Sequence, residues 1–141
     1  MSELATLAAG DELPARRFGP VTQEQINAYA EASGDMNPIH RDPEFAAMVG
    51  LGGTIAHGML VMGLAGAYLA ELAGPANLRQ FGARFKAMTR PGETIVCSGR
   101  VTEISDEPGG RVLRCEIRAA NEAGEIKLTG HCVAFAAKEE R

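Results

Sequence analysis

The chain has 141 residues, 45% apolar and 23% charged, with 14 Lys and Arg against 18 Asp and Glu. That length fits one compact domain, residues 1–141, and leaves no room for a second; the composition is that of a globular protein able to fold without staples. A net charge of −4, aromatic residues at 5% and the lack of Trp exclude a basic, base-stacking nucleic-acid surface.

Three cysteines, Cys97, Cys115 and Cys132, form an odd set without a C-x-x-C pair, which argues against a disulfide framework and against a zinc site. No basic stretch precedes Asp11 and Glu12, so the start does not read as a secretory signal, and a reducing, cytoplasmic setting is expected. The most apolar run, residues 58–70, is too short to cross about 30 Å of hydrocarbon and suits a buried core helix, so no membrane span is expected.

In chain order, a first helix is predicted over 22–32, opened by the capping box Thr22-x-x-Gln25 and carrying an apolar stripe of Ile26, Tyr29 and Ala30. Residues 34–40 (GDMNPIH) must be irregular, because Pro38 lacks an N–H and pushes Asn37 out of the helical region. Asp42-Pro43 then opens a short helix over 43–48. A helix over 58–73 is apolar nearly all round and should form the core; its Gly58, Gly63 and Gly66 point to close approach of a sheet or a partner chain.

The remainder alternates with a period of two and is cut by turn signals at 90–92, 106–110 and 121–124, giving four strands. Leu113, Cys115, Ile117 and Ala119 share one face of the third, and Ile126, Leu128, Gly130, Cys132 and Ala134 one face of the fourth. All three cysteines fall in the apolar phase and are expected to be packing thiols. The inventory is α+β, an antiparallel sheet around one long helix, and so small a sheet leaves edges that invite a second chain.

The dense polar cluster is residues 33–40. Asp35 and His40 lie five residues apart across a proline-stiffened loop, and the core helix begins just after His57. An Asp and a His converging on one water can act as an acid/base pair, while free amides at a helix N-terminus stabilise charge on a carbonyl oxygen. The same spacing is open to other readings: Asp35 bonded to turn amides, Asn37 in an Asx turn, and His40 as a structural histidine. It is also open to a metal trio of Asp35, His40 and His57. His57 reads as a cap or packing residue, and His131 as solvated on the polar face of the last strand.

Residues 29–47 (YAEASGDMNPIHRDPEFAA) resemble the signature of the MaoC-like hydratases and dehydratases, the (R)-specific enoyl-CoA hydratase (hydratase 2) family. Residues 56–59 (AHGM) and 85–93 (FKAMTRPGE) resemble two further motifs of that family, in the same order. The run 49–63 (VGLGGTIAHGMLVMG) is similar to the beta subunit of the actinobacterial (3R)-hydroxyacyl-ACP dehydratases. The resemblance implies a single hotdog fold and a hydro-lyase that interconverts trans-2-enoyl and (3R)-hydroxyacyl thioesters, with CoA or an acyl-carrier protein as carrier. It further implies Asp35 and His40 as the catalytic pair and the Gly58 N–H as oxyanion donor. Asn37 would organise the site, and Asn37, His57 and Lys86 would stand on the substrate side, with no metal and no cofactor.

A serine found near Gly66 in some relatives is missing, which the resemblance reads as a wider acyl channel. Arg84, Lys86 and Arg90 are candidates for carrier phosphates or for a solvated face, and only Lys86 lies on a motif position. A homodimer, or a heterodimer with a related hotdog subunit, is the expected assembly. Rival readings are a hotdog thioesterase and a subunit whose chemistry lives in a partner chain.

Overall fold

The computed structural model describes residues 3–138. After a 3-10 turn at Glu3–Thr6 come strand β1 (Glu12–Phe18), helix α1 (Gln23–Ser33), a 3-10 turn at Pro38–His40, helix α2 (Pro43–Met48) and helix α3 (Gly58–Ala73). Strands β2 (Leu78–Phe85), β3 (Ile95–Glu107), β4 (Gly110–Asn121) and β5 (Ile126–Ala137) complete the chain. They form one antiparallel sheet of order β1-β3-β4-β5-β2, so β1 and β2 are its edges. Among the described residues no helix is long and apolar enough to cross a membrane.

The core lies between α3 and the inward phase of the sheet. Leu60, Val61, Ala65, Tyr68, Leu69 and Leu72 of the helix meet Cys97, Leu113, Cys115, Ile117, Leu128 and Cys132. The three thiols are free and buried, and burial pushes that of Cys97 up to about 12. All three pack as expected. The helix boundaries follow local chemistry: Thr22 Oγ1 accepts the Gln25 N–H at 3.0 Å to cap α1, and Asp42 accepts the Glu44 and Phe45 amides ahead of Pro43 to cap α2.

Two features depart from the sequence pattern. The sheet has a fifth strand, β1, which the pattern missed because only Leu13 of Glu12–Phe18 is buried, and because Pro14 and a register shift interrupt the alternation. Proline is tolerated at such an edge, where its missing N–H breaks no ladder. In β5 the expected face of Ile126, Leu128 and Gly130 does not begin at Ile126, which is 38% exposed, whereas Lys127 is 1% exposed. The cause is a bulge, since Ala119 pairs with Leu128 but Ala120 pairs with Ile126, which turns Lys127 inward.

The helix glycines split into two kinds. A Cβ at Gly58 would lie 3.2 Å from the Phe85 ring and one at Gly66 3.4 Å from the Phe81 ring, so β2 packs closely against both. Phe81 thus lies at van der Waals distance from the position where a side chain at Gly66 would begin. Gly63 is exposed and meets nothing within 4 Å.

Candidate active site

The loop after α1 is built from short side-chain bonds. Gly34 ends the helix with φ of 80°, a left-handed conformation open to glycine. The Asp35 amide then donates to Ser33 Oγ at 3.2 Å, the Asn37 amide to Asp35 Oδ1 at 3.3 Å, and the Ile39 amide to Asn37 Oδ1 at 3.2 Å. Asn37 thereby caps the 3-10 turn that starts at Pro38, and the turn carries His40 inward to 7% exposure while Asp35 stays at the surface.

His40 Nδ1 lies 2.7 Å from the carbonyl oxygen of Ile55. A carbonyl can only accept, so that nitrogen carries the proton and Nε2 presents a lone pair. Nε2 is 3.9 Å from Asp35 Oδ2, too far for a direct hydrogen bond and suited to a water held by both. His57 stacks on this ring at 3.7 Å between centroids with 23° between planes, and the Tyr29 ring packs against His57 at 4.7 Å, tilted by 58°. His57 is 2% exposed and its Nε2 donates to the backbone oxygen of Asp35 at 3.0 Å. It precedes α3 without capping it through its side chain. Asn37 and His57, expected on the substrate side, are thus placed where they brace the loop.

Asp35, His40 and His57 do come together, with one ligand atom of each within 4.8 Å of the others. Metal ligands must aim their lone pairs at one point. Two imidazoles stacked nearly parallel direct theirs side by side in separate planes, so the trio suits proton transfer better than coordination.

Gly58 begins α3 and is exposed, and its N–H has no acceptor within the helix because it lies in the first turn. Beside it opens a cleft of about 370 Å³ lined by His40, Gly58, Val61, Phe85, Lys86 and Met88 among others. Lys86 is exposed at this cleft, and Met59, Phe85 and Met88 are each about half exposed. A larger concavity, about 920 Å³, lies over the outer side of the sheet between Arg84, Arg100, Arg118 and His131 and contains neither member of the pair. The smaller cleft, which His40 and Gly58 line together, is therefore the candidate site. Of the other basic candidates, Arg84 belongs to the outer concavity, and Arg90 is spent on the carbonyls of Leu51 at 2.5 Å and Gly53 at 3.4 Å. His131 is exposed as expected, with its ring over Gly82.

One wall of the cleft rests on a charge network that sequence reasoning missed. Lys127 Nζ donates to Met88 O at 2.7 Å, to Glu93 at 2.9 Å and to Glu125 at 2.5 Å, while Glu93 also accepts from Asn121 and from the Arg90 amide. Burial opposes ionisation of Glu93, but the Arg90 amide, Asn121 and Lys127 outweigh it and hold its carboxyl below the usual range. Glu93 stood within the 85–93 motif, so a signal for it was present; for Lys127 there was none, because the bulge alone buries it.

A sheet wrapped on one helix, with Asp35 and His40 drawn together near the N-terminus of that helix, defines a hotdog fold with its candidate site at that point. The chain belongs to the MaoC-like domain family, whose sequence profile, "MaoC like domain", matches residues 5–117. It is 37% identical to 3-hydroxyacyl-thioester dehydratase Y of Mycobacterium tuberculosis over 122 residues, which are 84% of this chain and 40% of that protein. It therefore spans under half the length of that relative. To 3-hydroxybutyryl-CoA dehydratase of Methylorubrum extorquens it is 30% identical over 122 residues, 85% of this chain and 76% of that one. The unliganded R-hydratase PhaJ1 of Pseudomonas aeruginosa superposes with a TM-score of 0.83 at 27% identity, covering 98% of this chain and 86% of that structure.

Proposed function

We propose that the chain is a hydro-lyase that adds water to trans-2-enoyl thioesters, and removes it from (3R)-hydroxyacyl thioesters, with syn geometry. The observation that carries this reading is the free Nε2 of His40 facing the Asp35 carboxyl across 3.9 Å, beside the start of α3, which no side chain caps. In hydration, His40 Nε2 takes a proton from the bridging water and the hydroxide oxygen bonds to C3. The π electrons move toward C2 and the thioester carbonyl, whose oxygen is met by the Gly58 N–H. Asp35 in its acid form gives its proton to C2, and His40 returns a proton to Asp35 to reset the pair. Both groups reach the substrate from one side, which makes the addition syn.

Asn37 and His57 hold the loop in this geometry, and Lys86 at the cleft mouth suits a phosphate of CoA or of a phosphopantetheine arm. Pairing with a second copy, or with a related hotdog subunit, is supported by the exposed edge of β2 and by the apolar surface of Met59, Phe85 and Met88. The three free thiols fit a reducing cytoplasm. The test is to follow crotonyl-CoA and a longer trans-2-enoyl-CoA by loss of enoyl absorbance with chiral analysis of the product. Formation of the (3R)-hydroxyacyl-CoA is expected; release of free thiol would replace the reading with a thioesterase.

A further inference from the structure

The ring of His40 is held by Ile55, but the turn that delivers it is held by a side chain outside every motif of the site. Gln23, the first residue of α1, donates from Nε2 to the backbone oxygen of His40 at 2.7 Å and to Asn27 Oδ1 at 2.9 Å. Its Oε1 accepts the hydroxyl of Thr54 at 2.6 Å. The orientation of the amide is forced, since a flip would set two acceptor oxygens against each other at His40. Thr54 is 7% exposed and immediately precedes Ile55, whose N–H donates to Ile39 O at 3.2 Å and whose carbonyl takes the Nδ1 proton of His40.

These bonds close a ring: His40 side chain to Ile55, Ile55 to Thr54 through the chain, Thr54 to Gln23, and Gln23 back to the His40 backbone. Both ends of the histidine are thus fixed against one short segment. With Gln23 removed, the His40 carbonyl loses its donor and the turn is left to the Asn37 cap and the Ile55–Ile39 backbone bond, so the ring can tilt about its contact at Ile55 and Nε2 shifts relative to Asp35.

We propose that Gln23 is a positioning residue, whose carboxamide sets the direction in which His40 Nε2 faces Asp35. The inference rests on the acid/base reading of that pair. Gln23→Glu keeps the length of the side chain and the acceptor for Thr54 but replaces both Nε2 donors by carboxylate oxygen. It should lower kcat 10- to 100-fold, the range a misplacement of about 1 Å produces, with KM within about threefold. Thr54→Val, a gentler change, should lower kcat in the same direction by about 3- to 10-fold. Ile104→Val in β3 serves as the stability control and should lose Tm without changing kcat.

A second measurement does not depend on turnover. The Nδ1–H proton of His40, identified by its absence in His40→Gln, should exchange at least about tenfold faster in Gln23→Glu than in the wild-type chain. Unchanged exchange together with kcat within twofold of wild type overturns the proposal, as does a fall in kcat that Ile104→Val reproduces at equal loss of Tm. If the wild-type chain hydrates no enoyl thioester, the hydro-lyase reading fails, and the exchange measurement alone decides for or against Gln23.

Discussion

Residues 34–57 and the three central strands, β3, β4 and β5, are held in different ways. In the strands most residues belong to ladders, interrupted by a bulge at Thr102 and another at Lys127, and alternate side chains enter the core along most of their length, so any one bond is backed by its neighbours. The site segment rests on isolated side-chain bonds with no ladder behind them: Asn37 to Ile39, His40 to Ile55, His57 to Asp35, and Arg90 to Leu51 and Gly53. The lesson is that changes in the strands should be read in stability and changes in the segment in activity, because the segment contributes orientation while the core contributes cohesion.

The largest expected effect lies in the segment. Asp35→Asn and His40→Gln should each lower kcat/KM by about 10²- to 10⁴-fold, the usual contribution of an acid or base. Tm should stay within about 5 °C of wild type. Loss of activity accompanied by unfolding would break the comparison at its first step. In the strands, Leu113→Ala removes a side chain with no exposed surface and should cost about 2–5 kcal/mol in urea unfolding, with kcat of the folded protein retained.

The 86–93 connection joins the two regions and should respond in both measurements. Lys127→Ala leaves the Glu93 carboxylate and the Met88 carbonyl without their cation and should cost about 3 kcal/mol, with kcat/KM falling as the cleft wall loosens. A change in only one of the two readings would place this connection wholly in one region. The pH dependence has a definite sign here. The folded state holds the carboxyl of Glu93 below its ordinary value, about 4.3 in an unfolded chain. Its contribution is complete above that value and is lost as pH falls through the folded one, so urea midpoints should drop in acid, and drop less in Glu93→Gln. The smallest effect belongs to the outer face: Arg100→Ala breaks a 3.3 Å pair with Glu116 whose side chains are 53% and 68% exposed, and should change stability by under about 1 kcal/mol and leave kcat unaltered.

The candidate site was legible in part because its chemistry is local. Pro38 breaks the helix, Asn37 caps the turn, and the five-residue spacing of Asp35 and His40 follows from that turn alone. The helices over 43–48 and 58–73 were legible for the same reason, since each start and stop is written in neighbouring residues. What was not legible depended on partners distant in the chain. Gln23 sits 31 residues from Thr54, and Lys127 sits 34 from Glu93. No period or motif links such pairs. Strand β1 was missed because an edge strand buries only one residue of seven, which leaves too little alternation to detect.

By itself the sequence determined where the helices and the four later strands lie, most of the side chains that face the core, and which loop brings Asp35 and His40 near each other, because propensity, capping and alternation act over a few residues. Only the tertiary structure decided which nitrogen of His40 is free, that His57 braces the loop by stacking instead of capping α3, and that a bulge turns a lysine inward to support the cleft. Those outcomes depend on distances between segments far apart along the chain, and such distances exist only once the sheet has closed around its helix.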